Sequence, residues 1–209
     1  MEKYENKSCE DFTKLTISKD PVPGGGSVAA LTGALGVSLG GMVASLTDGK
    51  KKYAAYQQDI ERILSEAETF RQRFFQLMEE DMENFLPLSQ AYGLPKGTEE
   101  EKRAREEELG RCLRLAAQAP LEMMTACRDC LSMFEELLEK GSRLALSDVG
   151  CGVAEIRAAS DAAWLNALVN LNMIRDEDFT EPVRNEYKKM KQEISDRCER
   201  IYQRVEESL

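Results

Sequence analysis

Histidine is absent from this 209-residue chain. Any proton transfer it performs near neutral pH must therefore fall to a carboxylate, lysine, tyrosine, cysteine or backbone group. Basic charge is scarce too: 28 Lys and Arg stand against 38 Asp and Glu, for a formal net charge of −10. So acidic a chain lacks the basic face that phosphate backbones require, which argues against nucleic acid as a partner. The same deficit argues against a basic helix lying on a membrane surface. No stretch alternates polar and apolar residues with the period of two that marks a half-buried strand. The polar, charged run from Met1 to Glu10 has no secretory-leader pattern, so a cytoplasmic location is expected. Six cysteines (Cys9, Cys112, Cys127, Cys130, Cys151, Cys198) are scattered through helical stretches and read as reduced, structural thiols. Cys127 and Cys130 form a C-x-x-C, but no histidine and no two further ligands lie nearby, so no metal site is expected.

What is present is helix after helix. The length suits one domain, residues 1–209, large enough to bury a core. A short capped segment, Asp11 to Ile17, leads to Asp20-Pro21-Val22-Pro23-Gly24-Gly25-Gly26-Ser27, which neither a helix nor a central strand accommodates. Ser27 reads as an N-cap for a helix to about Thr47, closed by Asp48-Gly49 and three lysines. A second helix is predicted from Tyr53 to Tyr92. A third opens on the capping box Thr98/Glu101 and runs to Glu139, with a kink or break at Pro120. A fourth covers Ser147 to Met173, and a fifth begins at Glu181-Pro182. The expected fold is all-α, an up-and-down bundle of about five long helices around a small-residue central helix.

That central helix is uncharged from Pro21 to Thr47 and long enough to span a bilayer. Its residues are small rather than greasy: Ala29-Gly33 and Gly36-Gly40-Ala44 repeat at four-residue spacing, which lets backbones approach closely. The expectation is a buried helix, or one that meets its own copy across a two-fold axis, and not a membrane span.

Three features carry chemistry. Gly24-Gly25-Gly26 before a helix start offers unpaired amides and positive dipole to an anion, a carbonyl or a developing negative charge. The same glycines also suit a tight approach into a crowded helix. Gly24, Gly26 and Ala29 satisfy G-x-G-x-x-A, but no strand precedes them and a dinucleotide fold is not supported. Asp81 falls inside the apolar stripe Phe74, Leu77, Met78, Phe85, Leu88, where a carboxylate is either an ion-pair member or a tuned acid–base group. Ser147-Asp148 opens a helix, where capping explains one of the two. Asp161 pairs in this reading with Arg157 one turn earlier, and Asn166 and Asn170, one turn apart among apolar residues, need partners if buried.

Taken together, Pro23-Gly24-Gly25-Gly26-Ser27-Val28-Ala29-Ala30, Gly49-Lys50-Lys51-Lys52-Tyr53, Asp81 with Phe85, Leu94-Pro95-Lys96 with Glu100-Glu101-Lys102, Ser147-Asp148, and Asn166 with Asn170 form one ordered pattern. It resembles the formiminotetrahydrofolate cyclodeaminase and methenyltetrahydrofolate cyclohydrolase family over nearly the whole chain. A glycine-alanine pair usual ahead of the asparagines reads Ala162-Ala163 here. The resemblance implies an all-helical homodimer with sites near the subunit interface, a folate substrate carrying a one-carbon unit, and no separate cofactor. It implies Asp81 as the catalytic group, with Gly24, Gly25, Gly26, Ser27, Lys96, Ser147 and Asp148 on the substrate. Lys50, Lys51 and Lys52 become candidates for attracting a polyglutamate tail. The activity implied is cyclodeamination of 5-formiminotetrahydrofolate to the 5,10-methenyl form, or alternatively cyclohydrolase action on that methenyl form. A non-catalytic folate carrier or a helical assembly protein are readings from other classes; the first leaves Asp81 unexplained, the second the glycine loop.

Overall fold

The computed structural model describes residues 3–209, and its elements are helices joined by short turns. A short helix α1 (Cys9–Ile17) is capped by the Ser8 hydroxyl, which accepts from the Asp11 amide. Five long helices follow: α2 (Gly25–Ser45), α3 (Gln57–Ala91), α4 (Glu99–Lys140), α5 (Leu146–Met173) and α6 (Glu177–Glu206). No strand occurs among the described residues.

Facing pairs fix the directions. Gly33 lies under Phe74 and Gly41 near Ala67, so α2 and α3 run antiparallel. Arg62 pairs with Glu136 at 2.7 Å and Arg73 with Glu122, which sets α4 against α3. Gly152 meets Phe134 and Asn170 meets Ala116, so α5 runs antiparallel to α4, and Gly150 meets Val205 of α6. This is the expected up-and-down bundle. Small residues make it tight: a Cβ on Gly33 would sit 2.5 Å from the Phe74 ring, and one on Gly36 would sit 3.0 Å from the Gly152 carbonyl. Phe74, Phe134, Leu77, Met123 and Leu137 fill the core thus enclosed. Cys127 and Cys130 lie within it, where burial pushes both thiols up.

Helix α2 is central but not fully enclosed. It is packed by α3, α4 and α5, but its fourth side is bare, with Val28, Leu35 and Met42 exposed at seven-residue spacing. Length and composition alone would let it cross a membrane, yet more than half of its apolar window is covered by neighbouring helices.

Several boundaries and pairings differ from expectation: α3 starts at Gln57 rather than Tyr53, after a 3-10 turn over Lys51–Tyr56. Ser27 is not the N-cap: Gly24 is, in extended conformation, and Ser27 sits in the first turn with its side chain turned to another helix. Helix α6 starts at Glu177, because Asp176 caps it by accepting from the Phe179 amide, so Pro182 lies inside the helix. Asp161 pairs with Lys191 of α6 at 2.8 Å rather than with Arg157, which reaches Glu199 instead. Pro120 does not interrupt α4. Proline has no N–H for the carbonyl four residues back, that of Ala116. The Asn170 side chain of α5 fills the gap, donating Nδ2–H to the Ala116 oxygen at 3.2 Å.

Candidate active site

At the start of α2 the backbone does the work of side chains. Gly24 offers no side-chain cap, so the first amides of the helix are left for outside partners. Gly26 faces α3 so closely that a Cβ there would collide with the Asp81 carboxylate. A side chain at this position would drive the carboxylate from the helix end, and glycine therefore brings the two together. Ser27, fully buried, donates its hydroxyl to Asp81 Oδ2 at 3.1 Å. On the other side, a Cβ on Gly25 would meet the Asn166 carboxamide of α5 at 3.0 Å.

Asp81 is half-buried and meets no cation within ion-pair distance among the described residues. Burial pushes its carboxyl up to about 6, against the Ser27 hydroxyl and backbone amide, which draw it back down. A carboxyl so poised can take and return a proton near neutral pH, the task that lacks a histidine here. Asn166 donates Nδ2–H to the Ala162 carbonyl at 2.8 Å, and Asn170 donates to the Asn166 carbonyl at 3.0 Å. The first of these bonds points the Asn166 amide nitrogen back along its own helix and leaves Oδ1 as an acceptor beside Gly25.

One chain thus assembles Gly25, Gly26, Ser27 and Asp81, with Gly24 at the open lip, where a Cβ would touch nothing. It does not bring all candidates together. Asp148 precedes Asn166 by eighteen residues of α5, roughly 27 Å at 1.5 Å per residue. Ser147 and Asp148 therefore lie at the opposite end of the bundle, in the first turn of α5, where Ala145 is the cap. Lys50, Lys51 and Lys52 lie at that far end too, beyond the C-terminus of α2; the Lys50 ammonium is 3.5 Å from the Ser142 hydroxyl. Lys96 lines a cleft beside the first half of α4. Asn166 was legible as a polar residue in an apolar stretch and as part of the family pattern, but helix projection alone does not say that it faces Gly25. Among the described residues no three His, Cys, Asp or Glu side chains gather as a metal would need.

Comparison with known proteins shows the family and the fold to which the chain belongs. The chain is 36% identical over 200 residues to methenyltetrahydrofolate cyclohydrolase of Methylorubrum extorquens, covering 96% of each. It is 28% identical over 186 residues to rat formimidoyltransferase-cyclodeaminase, of which it spans only 34%. Its fold matches the crystal structure of formiminotetrahydrofolate cyclodeaminase from Thermotoga maritima with a TM-score of 0.82 at 31% identity, covering 98% of this chain and 96% of that one. The sequence profile of the formiminotransferase-cyclodeaminase family fits residues 8–189. With nearly the whole chain matched, the protein belongs to the formiminotransferase-cyclodeaminase family.

Proposed function

We propose that the protein is a folate one-carbon enzyme that closes 5-formiminotetrahydrofolate to 5,10-methenyltetrahydrofolate and releases ammonia. The observation that carries this reading is Asp81, a carboxyl raised to about 6 at the open end of α2. Folate N10 attacks the carbon of the protonated formimino group, and the N10 proton must leave. The departing nitrogen must gain one proton to go as ammonia. The ionised Asp81 carboxylate takes the first proton and supplies the second, so one group serves both steps and the count balances. Its negative charge also stabilises the methenyl cation that forms. The scheme calls for no metal or organic cofactor, because the proton moves through the protein's own carboxyl.

A second reading is supported by the M. extorquens relative, which aligns end to end and is named a cyclohydrolase. In that reaction Asp81 would accept one proton from water adding to the methenyl carbon and pass it to N5 as the bond from that carbon to N5 breaks, while the remaining hydroxyl proton leaves to solvent as the formyl carbonyl forms. The transferase half of the longer relatives is not assigned to this chain.

The reading extends to a cytoplasmic homodimer. The bare face of α2 carries no charge, and the adjoining exposed positions of α5 (Cys151, Ala154, Glu155, Ala158, Leu165, Val169) carry a single one, at Glu155. Leu35 is 55% and Leu165 65% exposed. A surface this long with one charge, in so acidic a protein, is best covered by a second copy. Antiparallel packing across a two-fold axis would carry the far end of one protomer, with Ser147, Asp148 and Lys50 to Lys52, to the Asp81 end of the other. That supplies a reason for substrate residues at both ends of one chain.

The test is an absorbance assay of methenyltetrahydrofolate formation from the formimino substrate, and of its decay by hydrolysis, with the wild type and Asp81→Asn. Turnover of either substrate, lost in the variant, is the expected outcome. A wild type inert on both, or a variant keeping most of its rate, overturns the reading.

A further inference from the structure

A cleft of about 560 Å³ lies where the first half of α4 meets the end of α5, and its walls carry four cations: Lys96, Lys102, Arg105 and Arg175. Glu106 is the one acid lining it, and it pairs with Arg175. In a chain of net charge −10 this is a local reversal of sign. Two of the cations are uncompensated. Lys96 has no acid within ion-pair distance among the described residues, nor has Arg105. The Arg105 guanidinium is held by a single bond from Nη2 to the Tyr92 carbonyl at 3.4 Å, while its Nε–H is sealed from solvent with no acceptor. A buried donor without an acceptor is costly unless a ligand supplies one.

The position of the cleft says which ligand. Met173 lines it and follows Asn166 on α5 by seven residues, two full turns, so both lie on one face about 10 Å apart. Leu113, on its floor, is one turn from Ala116, the carbonyl that Asn170 holds. Cleft and candidate active site are thus neighbours along one helix face. A ligand with a ring system beside Asp81 and carboxylates some 10 Å away, joined by a rigid spacer, would meet both.

We propose that this cleft binds the carboxylates of the glutamyl tail of the folate, with Lys96 and Arg105 as the principal donors and Lys102 and Arg175 at the rim. The proposal rests on the folate reading above. It assigns the tail to this cleft, whereas the sequence alone pointed to Lys50 to Lys52, which lie at the other end of this chain.

The experiment compares KM for three substrates: a tetrahydropteroate derivative lacking glutamate, the monoglutamate and a tetraglutamate. For the wild type KM falls from the first to the last. In Lys96→Gln/Arg175→Gln, and separately in Arg105→Gln, KM for the tetraglutamate rises about tenfold, the scale of losing charge-assisted contacts, and the three substrates converge. The control Lys14→Gln/Arg200→Gln, with the same charge change on exposed surface, keeps the wild-type order. Titration with p-aminobenzoyl-tetraglutamate, which has no reacting ring, reads the cleft directly. A wild type inert on every folate sinks the underlying reading. A wild type active on all three whose KM order survives both cleft variants, with unchanged titration, overturns the cleft proposal alone.

Discussion

Asp81 stores a conflict between stability and chemistry. Its carboxyl is raised from 3.8 to about 6 on folding, so the native state holds the proton more tightly than the unfolded chain. That contribution to stability is complete below about pH 4 and is lost as the pH climbs through 6. A shift of about two units corresponds to roughly 3 kcal/mol given up by pH 7 to 8. Asp81→Asn keeps an acceptor for Ser27 and removes the charge. It should therefore be more stable than wild type by about 1–3 kcal/mol at pH 8 and no more stable at pH 4, read from urea midpoints at the two pH values. Turnover in the same variant should fall by about 10²–10⁴-fold. Equal midpoints at both pH values would mean that the carboxyl is not desolvated. In the wild type, kcat should rise with pH through a single limb near 6, since the ionised carboxylate takes the first proton; a rate that falls across that range reverses the assigned role. Gly26→Ala tests the same contact from the other helix, because its Cβ displaces the carboxylate. Loss of kcat with unchanged helical content by circular dichroism is expected.

At the scale of the helix, continuity of α4 depends on a residue of α5. Asn170 supplies to Ala116 the hydrogen bond that Pro120 cannot, across the seam beside the candidate site. Asn170→Leu should destabilise the wild type by about 1–3 kcal/mol, the cost of an unsatisfied buried carbonyl. In a Pro120→Ala background the restored backbone N–H competes for that carbonyl, so the same replacement should cost clearly less. The coupling in this double-mutant cycle is the measurement, and additive losses would show that Asn170 does not stand in for the missing amide. Gly33 makes a second inter-helix dependence, with the fully buried Phe74 ring lying against the α2 backbone. Alanine improves helix propensity by about 1 kcal/mol, but its methyl group overlaps a ring that has nowhere to go. The net result should be a loss of about 1–3 kcal/mol in chemical denaturation.

For the whole molecule, charge distribution is the informative quantity. Ion pairs such as Arg62–Glu136, Arg197–Glu135 and Arg157–Glu199 tie α3, α4, α5 and α6 together on the outside, while α2 carries none. Its exposed stripe is the natural place for a second copy. Sedimentation equilibrium at micromolar concentration should give twice 23.5 kDa for the wild type. Leu35→Glu, which places a charge mid-stripe, should shift it to monomer with α-helical content retained. If the partner's Ser147 and Asp148 complete each site, the monomeric variant is also inactive. A fully active monomer would confine the site to the Asp81 end of one chain.

Helix number, order and several termini follow from local rules, which is why they were legible: the Thr98/Glu101 capping box forms, and Gly49 stands just beyond α2 at φ +67°. Asp81 was legible for a similar reason, as a carboxylate out of place in an apolar stripe. The starts of α2 and α6 moved because several residues nearby could cap, and packing chose among them. Pro120 misled because its local rule was satisfied by Asn170, fifty residues away along the chain. The grouping of the site was likewise decided in three dimensions. Spacing along a helix says which residues share a face, but not that Gly26 and Asn166 meet α3 and α2, that Lys96 joins Arg105 and Arg175 in one cleft, or that Ser147 and Asp148 lie about 27 Å away. Those facts depend on which helices become neighbours and in what register, and close packing of the small residues of α2 against Phe74, Ile156 and Phe134 is what sets it.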